Sequence, residues 1–540
     1  MMHFEVFLTE LCREKYAPCP PDHRAALKAR MLAAFTCLIL TLSADALAGS
    51  DLTWDAAAAS IRTHLASDNA RRASQYRSCT LSAHEDCAIS RMPADETTVV
   101  LPGGGTRCIS TKNPYGFQVI PGHIDKLLFY FQGGGACWDS TSTSAQMCTQ
   151  DAHPMGLAGV LSRTDSKNPF RAHTVVVALY CSGDAFVSNN MTQPWRTNDG
   201  GWATQTGQQN VLATIDWATQ NLLGQHGALS SLVVMGCSAG SLGGQAWTAA
   251  LFDRFPAREQ AAVYDSYLGI FPQGVQGSVL RDTWPMCDSM LGKMLSHALL
   301  AKCHAGELTL QEWMGESVRA HPTKAHTWIQ SKTDAVQLSF YAAIAVSFGK
   351  LPISALTEYE RANEIFLGYD GAPNAIHYLI SSEMHCYTPD VLFYTADTAG
   401  LKGGGATVGV PSLLDWTASI AAQRRVTTEC DGKLVTEREW KAQSQPTYCS
   451  SEMANKSFIP TLTSAVTSAV PLLLEPVLGL TTSRNHTNCS SYMDCCFFTI
   501  PALCNASMPC QCEEDGGACF TSSCSIGGCC RPRASEWNPT

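Results

Sequence analysis

The middle of the chain alternates short apolar runs with longer stretches of helical spacing. Thr98–Leu101, Leu127–Phe131, Thr174–Leu179, Ser231–Met235, Ala261–Tyr264 and Thr327–Gln330 are brief runs rich in β-branched, aromatic and small apolar residues. Such runs, bounded by polar turns, predict strands buried on both faces. Between and after them, Gln208–Leu223 and Gln245–Phe255 repeat apolar residues at three- and four-residue intervals and predict helices. Strands alternating with helices imply an α/β fold, a mainly parallel sheet flanked by helices. Ligands in open sheets of that kind sit beyond the carboxyl ends of the strands, so chemistry is expected just after each run. Residues 49–95, ahead of the first strand, read as polar and helical, with Ala56–Ala66 the clearest helix and no interpretable motif.

The two ends of the chain differ from this middle. Arg24, Lys28 and Arg30 precede an apolar run from Met31 to Leu42, and Ala46-Leu47-Ala48 offers the small residues of a cleavage site. Residues 1–48 are therefore expected to be a signal peptide with a long n-region, an uncleaved anchor being the alternative. Secretion fits the cysteines: 22 follow Cys37, an even number suited to an oxidising compartment. Sequons at Asn190, Asn455, Asn485, Asn488 and Asn505 would then accept glycans. Residues 96–450 are expected to form one large domain, followed by a Thr-, Ser- and Pro-rich linker over 451–488. The linker's apolar stretch is broken by Pro460, Pro471, Glu475 and Pro476, so no stable membrane span is expected there. Residues 489–540 hold ten of those cysteines and are expected to be a small C-terminal disulfide domain. Zinc is the competing account, weakened because no histidine lies among these cysteines. The net charge of -10, without a Lys/Arg cluster, excludes a nucleic-acid surface, and a monomer is expected.

Candidate chemistry follows two of the strands. Ser231–Met235 leads into Gly236-Cys237-Ser238-Ala239-Gly240, the Gly-x-Ser-x-Gly spacing of a nucleophile elbow. A serine on a sharp strand-to-helix turn needs bare backbone on both sides, leaving its hydroxyl exposed and the next amide facing a carbonyl. Ser238 is the candidate nucleophile, and the Ala239 amide a candidate oxyanion donor. Leu127–Phe131 runs into Gln132-Gly133-Gly134-Gly135-Ala136, whose amides at Gly134, Gly135 and Ala136 could form the other half of an oxyanion hole. Asp334, just after the last run, and Asp265, after the one before it, are alternative acids to orient an imidazole. His385 and His377 are alternative bases. The order Ser, Asp, His is that of α/β-hydrolases. Taken singly, each motif is also compatible with a glycine turn or a core histidine.

Taken together these segments resemble the pectin acetylesterase and Notum family of extracellular carboxylesterases. LLFYFQGGGACWD is similar to its oxyanion segment, VVVALYCSGDAF to a strand end, and GCSAGSLGG to its elbow. YDSYLG, QSKTDAVQL and EMHCY resemble the segments that follow in the same order. The resemblance spans roughly residues 95 to 395 and implies Asp334 rather than Asp265, and His385 rather than His377. The chain departs from the family at Ala136, where an aromatic residue is usual, at Gln132, where Glu is common, and in its cysteine-rich tail. What the resemblance implies is an α/β-hydrolase fold and two-step acyl transfer by Ser238, His385 and Asp334, with neither cofactor nor metal. The substrate would be an ester on a polysaccharide or an acylated glycoprotein. Nothing in the sequence marks a deep apolar channel, so an acetyl ester on polysaccharide is expected. A fatty deacylase and a non-catalytic hydrolase-fold binding protein are the alternatives.

Overall fold

All six expected strands form, and among the described residues five further strands of four or more residues accompany them, besides the two-residue pairs Val426–Thr427 with Ser457–Phe458 and Cys510–Gln511 with Arg531–Pro532. The computed structural model describes residues 53–70, 75–82 and 84–429, apart from 111, 190, 225–226, 370, 402–409 and 423, and the pairs 457–458, 510–511 and 531–532. In chain order the strands are β1 (Arg77–Thr80), β2 (Thr98–Leu101), β3 (Phe117–Ile120), β4 (His123–Phe131), β5 (His173–Ala178), β6 (Met191–Arg196) and β7 (Trp202–Gln205). They continue with β8 (Leu229–Cys237), β9 (Ala257–Asp265), β10 (Ala325–Ser331) and β11 (Ala375–Ile380). Apart from the β6–β7 hairpin they build one nine-stranded sheet in the order β1-β2-β3-β5-β4-β8-β9-β10-β11.

The six strands from β5 to β11 in this order are parallel to one another, whereas β3 runs antiparallel to both its neighbours. Burial on both faces explains their composition: Val175, Val177, Leu232, Val234 and Met235 have no exposed surface. Burying each such side chain contributes about 1.5–3 kcal/mol relative to leaving it in water. From β4 the chain crosses to β5 on one side, and later enters β8 on the other. That reversal opens a crevice at the carboxyl ends of β4 and β8, the place where open α/β sheets receive ligands.

Helices cover the sheet: α1 (Trp54–Ala70), α2 (Gly207–Ala218), α3 (Ala239–Arg254), α4 (Leu310–Ala320), α5 (Ala335–Ser347) and α6 (Ala355–Gly368). Local sequence sets their starts. Thr309 and Glu312 form a reciprocal capping box on α4, and Ser354 caps α6. The expected N-terminal helix is α1, and it is not a separate piece: it lies along α5, with Ser60 Oγ 3.0 Å from Ser339 Oγ. Five disulfides join described cysteines, Cys79–Cys87, Cys108–Cys181, Cys137–Cys148, Cys237–Cys386 and Cys287–Cys303. No described helix is long and apolar enough to cross a membrane. The expected signal peptide (1–48) and linker (451–488) lie outside the described residues except for 457–458. So does the expected cysteine-rich domain (489–540), apart from the paired pieces Cys510–Gln511 and Arg531–Pro532.

Candidate active site

Ser238 stands between β8 and α3 with φ 59° and ψ −123°, a conformation non-glycine residues adopt at a cost of about 1–3 kcal/mol. The glycines around it permit the turn. A Cβ on Gly240 would lie 2.0 Å from the carbonyl oxygen of Phe131 at the end of β4, so only hydrogen fits between the elbow and the neighbouring strand. Ala239 is the first residue of α3, and its amide is one of the helix-terminal donors with no acceptor within the helix.

The loop after β4 is held beside the elbow. Gly135 has φ +74°, and a Cβ there would sit 2.1 Å from the Met147 carbonyl oxygen. The Cys137–Cys148 disulfide and the bond from Thr149 N to Gly134 O (2.8 Å) fix this turn. One expected oxyanion donor changes role. The Ala136 amide donates to Met147 O at 3.0 Å, because residues 134–136 pair antiparallel with 147–149. Ala136 therefore borders the site without offering its N–H, and Gly134 and Gly135 remain on this side as candidates.

Asp334 and His385 meet directly. Asp334 caps α5 from the end of β10: its Oδ1 accepts from Val336 N (3.0 Å) and Gln337 N (2.9 Å). Its Oδ2 accepts from Gln337 Nε2 (2.9 Å) and from His385 Nδ1 (2.7 Å). Three residues along the helix bring the Gln337 amide back over its own cap. The Gln330 side chain holds Gln337 from the strand at 3.0 Å. Both members of the Asp334–His385 pair are buried. An ionised carboxylate can only accept, so the imidazole proton sits on Nδ1 and Nε2 carries the lone pair.

The His385 loop is fastened to the elbow by covalent and polar ties. Cys237, just before Ser238, is disulfide-bonded to Cys386, just after His385, with a Cα–Cα distance of 5.6 Å. Asp265, weighed above as an acid, makes the second tie. Its main-chain carbonyl accepts from Ser238 N at 3.0 Å, while its Oδ2 accepts from Tyr387 N (2.8 Å), Thr388 N (2.6 Å) and Thr388 Oγ1 (2.7 Å). Burial pushes the Asp265 carboxyl upward, and the bonds from Thr388, Ser266 and Tyr387 pull it back. His377, the other candidate base, lies within β11 with its ring 3.9 Å from that of Phe366 and 5.3 Å from that of Trp328. It is a core aromatic position.

An apolar pocket opens beside Ser238 and Ala239. No charged residue lines it; its walls include Trp138, Phe271, Trp284, Phe340, Ile344 and Phe348. The last three recur at four-residue intervals along and just past α5, so one helix carries the acid at its amino end and an apolar stripe along its flank. Sequence reading missed this wall, although that four-residue spacing was its visible signal. It also missed His64 of α1, whose ring meets that of His385 edge-on at 4.9 Å.

The sheet order and the strand–elbow–helix turn at Ser238 define an α/β-hydrolase-type fold. Within it, residues 110–279 match the family model described as Pectinacetylesterase, so the family likeness seen in the sequence is met over that segment. Two crystal forms of the Wnt deacylase Notum from Drosophila are similar structures. The first has a TM-score of 0.43 and 15% identity, covering 61% of this chain and 95% of that one. The second has a TM-score of 0.41 and 17% identity at the same coverage. No curated protein sequence matches the chain significantly.

Proposed function

We propose that the protein is a secreted serine carboxylesterase whose acyl pocket takes a chain longer than acetyl. His385 removes the Ser238 proton as the hydroxyl oxygen attacks the ester carbonyl, and Asp334 keeps the imidazole in the required tautomer and steadies its charge. The amides of Ala239 and of Gly134 or Gly135 take up the oxyanion; His385 then protonates the departing alcohol, and water repeats the cycle on the acyl-enzyme. The disulfides and the charged-then-apolar N-terminus support secretion.

The observation that carries the substrate reading is the uncharged, aromatic cavity beside Ser238. The expectation of an acetyl group rested on the lack of an apolar channel, and the aromatic and aliphatic lining beside Ser238 weighs against that ground. Each methylene buried there is worth about 0.8 kcal/mol, or roughly fourfold in kcat/KM until the space is filled. Rates on p-nitrophenyl esters from acetyl to palmitoyl test this: a rise through at least the octanoyl ester is expected, with Ser238→Ala folded and inactive throughout. A maximum at acetyl would select the second reading, acetyl removal from a polysaccharide, which the name of the matching family model favours. Failure of Ser238 to react with a fluorophosphonate probe would leave the fold as a binding scaffold.

A further inference from the structure

Among the described residues, two clusters bring three possible metal-ligand atoms together. Cys79, Glu85 and Cys87 form one, but both its sulfurs are joined to each other. The other is different in kind. One ring nitrogen of His64, one of His385 and the Sγ of Cys386 all lie within 4.8 Å of one another. Cys386 is bonded to Cys237 and offers no thiolate, which leaves two imidazoles facing one small volume.

We infer that His64 and His385 form a chelating site for a borderline divalent cation, Zn²⁺ or Cu²⁺, and that the ion switches the enzyme off by occupying its base. The regulatory half of this inference rests on the esterase reading above; the binding half does not. Three features support it. First, His385 already has the second shell of a metal ligand: its Nδ1 donates to Asp334 at 2.7 Å, the carboxylate–histidine arrangement that raises ligand basicity and fixes the ring. Second, the spacing suits the ion. Zinc–nitrogen bonds of about 2.0–2.1 Å in tetrahedral geometry hold two nitrogens about 3.3 Å apart, and the two ring nitrogens here lie within 4.8 Å, so the edge-on rings turn toward the ion on binding. Third, His64 is the less buried of the two rings, so the α1 side is the shorter way in, although Nε2 of both rings is buried and an ion must displace the packing there to enter. Solvent completes the coordination. With two protein ligands rather than the three or four of resident zinc sites, the ion would bind reversibly, as suits a regulator.

The test uses the full-length protein after chelator treatment. Hydrolysis of p-nitrophenyl butyrate is expected to fall at micromolar Zn²⁺ and recover with EDTA. His64→Ala and His64→Gln, each scaled to its own metal-free rate, are expected to need at least tenfold more Zn²⁺ for half-inhibition. Superimposable inhibition curves for wild type and both variants would overturn the regulatory claim. Cu²⁺ electron paramagnetic resonance on the Ser238→Ala protein gives a readout independent of activity. A signal with two imidazole nitrogens, lost in Ser238→Ala/His64→Ala, is expected, and its absence from Ser238→Ala would refute the site even in a protein with no esterase activity.

Discussion

Asp265 and Asp334 both follow the apolar run of a parallel strand, both are wholly buried, and one of them meets an imidazole. Asp265 spends its carboxylate on three donors from Tyr387 and Thr388, and its main-chain carbonyl on Ser238 N. It therefore positions His385 through the loop that carries it. Asp265→Asn keeps only one acceptor oxygen, so either Ser266 or the Tyr387 and Thr388 donors face an NH2, and leaving one buried and unpaired costs about 1–3 kcal/mol. The expected result is a kcat on p-nitrophenyl butyrate lowered about 10- to 100-fold with KM nearly unchanged; an unaltered kcat would show that the His385 loop needs no such clamp. Asp334→Asn acts on the imidazole itself, and a fall in kcat on the order of 10⁴-fold is expected because the wrong tautomer becomes favoured. The ratio of the two losses separates holding the loop from holding the proton.

At the scale of elements, α5 joins acid and acyl wall in one rigid piece. Ile344→Trp fills the cavity from that helix, and kcat/KM for decanoyl esters is expected to drop at least tenfold while acetyl esters stay within about threefold. Equal losses on both would place the acyl group elsewhere. Much of this framework was legible in the sequence. Thr98–Leu101 was found to the residue, and the other runs lie inside their strands or within one residue of them. Buried parallel strands are continuous apolar runs, hence easy to see. Arg77–Thr80 escaped because it is a largely exposed edge strand with no apolar pattern. Phe117–Ile120 inserts antiparallel between β2 and β5, a pairing set by long-range packing rather than by its own four residues. Ser238, Asp334 and His385 stood out because sharp turns demand glycine and an ordered series of motifs surrounds them. The cavity did not, since a wall is assembled from separate segments around Phe271, Trp284 and α5. His64 did not either, because nothing local in α1 reveals what it will be packed against.

Across the whole molecule, several carboxyls are buried away from compensating charge, and they give stability a definite pH dependence. Asp216 is pushed up to about 6 by burial, with Arg254 opposing the shift, and its Oδ1 has no hydrogen-bond partner among the described residues. Burial raises Glu358 further, the charge of nearby Asp334 adds to this, and neither Glu358 oxygen has a hydrogen-bond partner among the described residues. Asp184 also reaches about 6, yet Ser182, Gly207 and Phe186 donate to it, so its replacement would lose bonds as well as charge. A carboxyl whose folded pKa exceeds its unfolded value contributes stability that is complete below the unfolded pKa and is lost as pH rises through the folded one. For Asp216 that window runs from about pH 4 to about pH 6. Asparagine in its place does not titrate, so Asp216→Asn is expected to match wild type at about pH 4 and to exceed it by about 1–2 kcal/mol at about pH 7.5. Glu358→Gln follows the same sign, because a neutral amide of similar shape replaces a carboxyl whose ionisation both burial and the charge of Asp334 oppose. Thermal unfolding of the disulfide-intact protein at both pH values reads the difference as a rise of about 2 °C confined to the higher pH. A variant no more stable than wild type at the higher pH would mean that Asp216 is ionised and satisfied in the folded chain. The same two curves bear on the active site: if Glu358→Gln stabilises the protein and leaves kcat intact, the carboxyl next to Asp334 is a neutral neighbour, and the negative charge that orients His385 belongs to Asp334 alone.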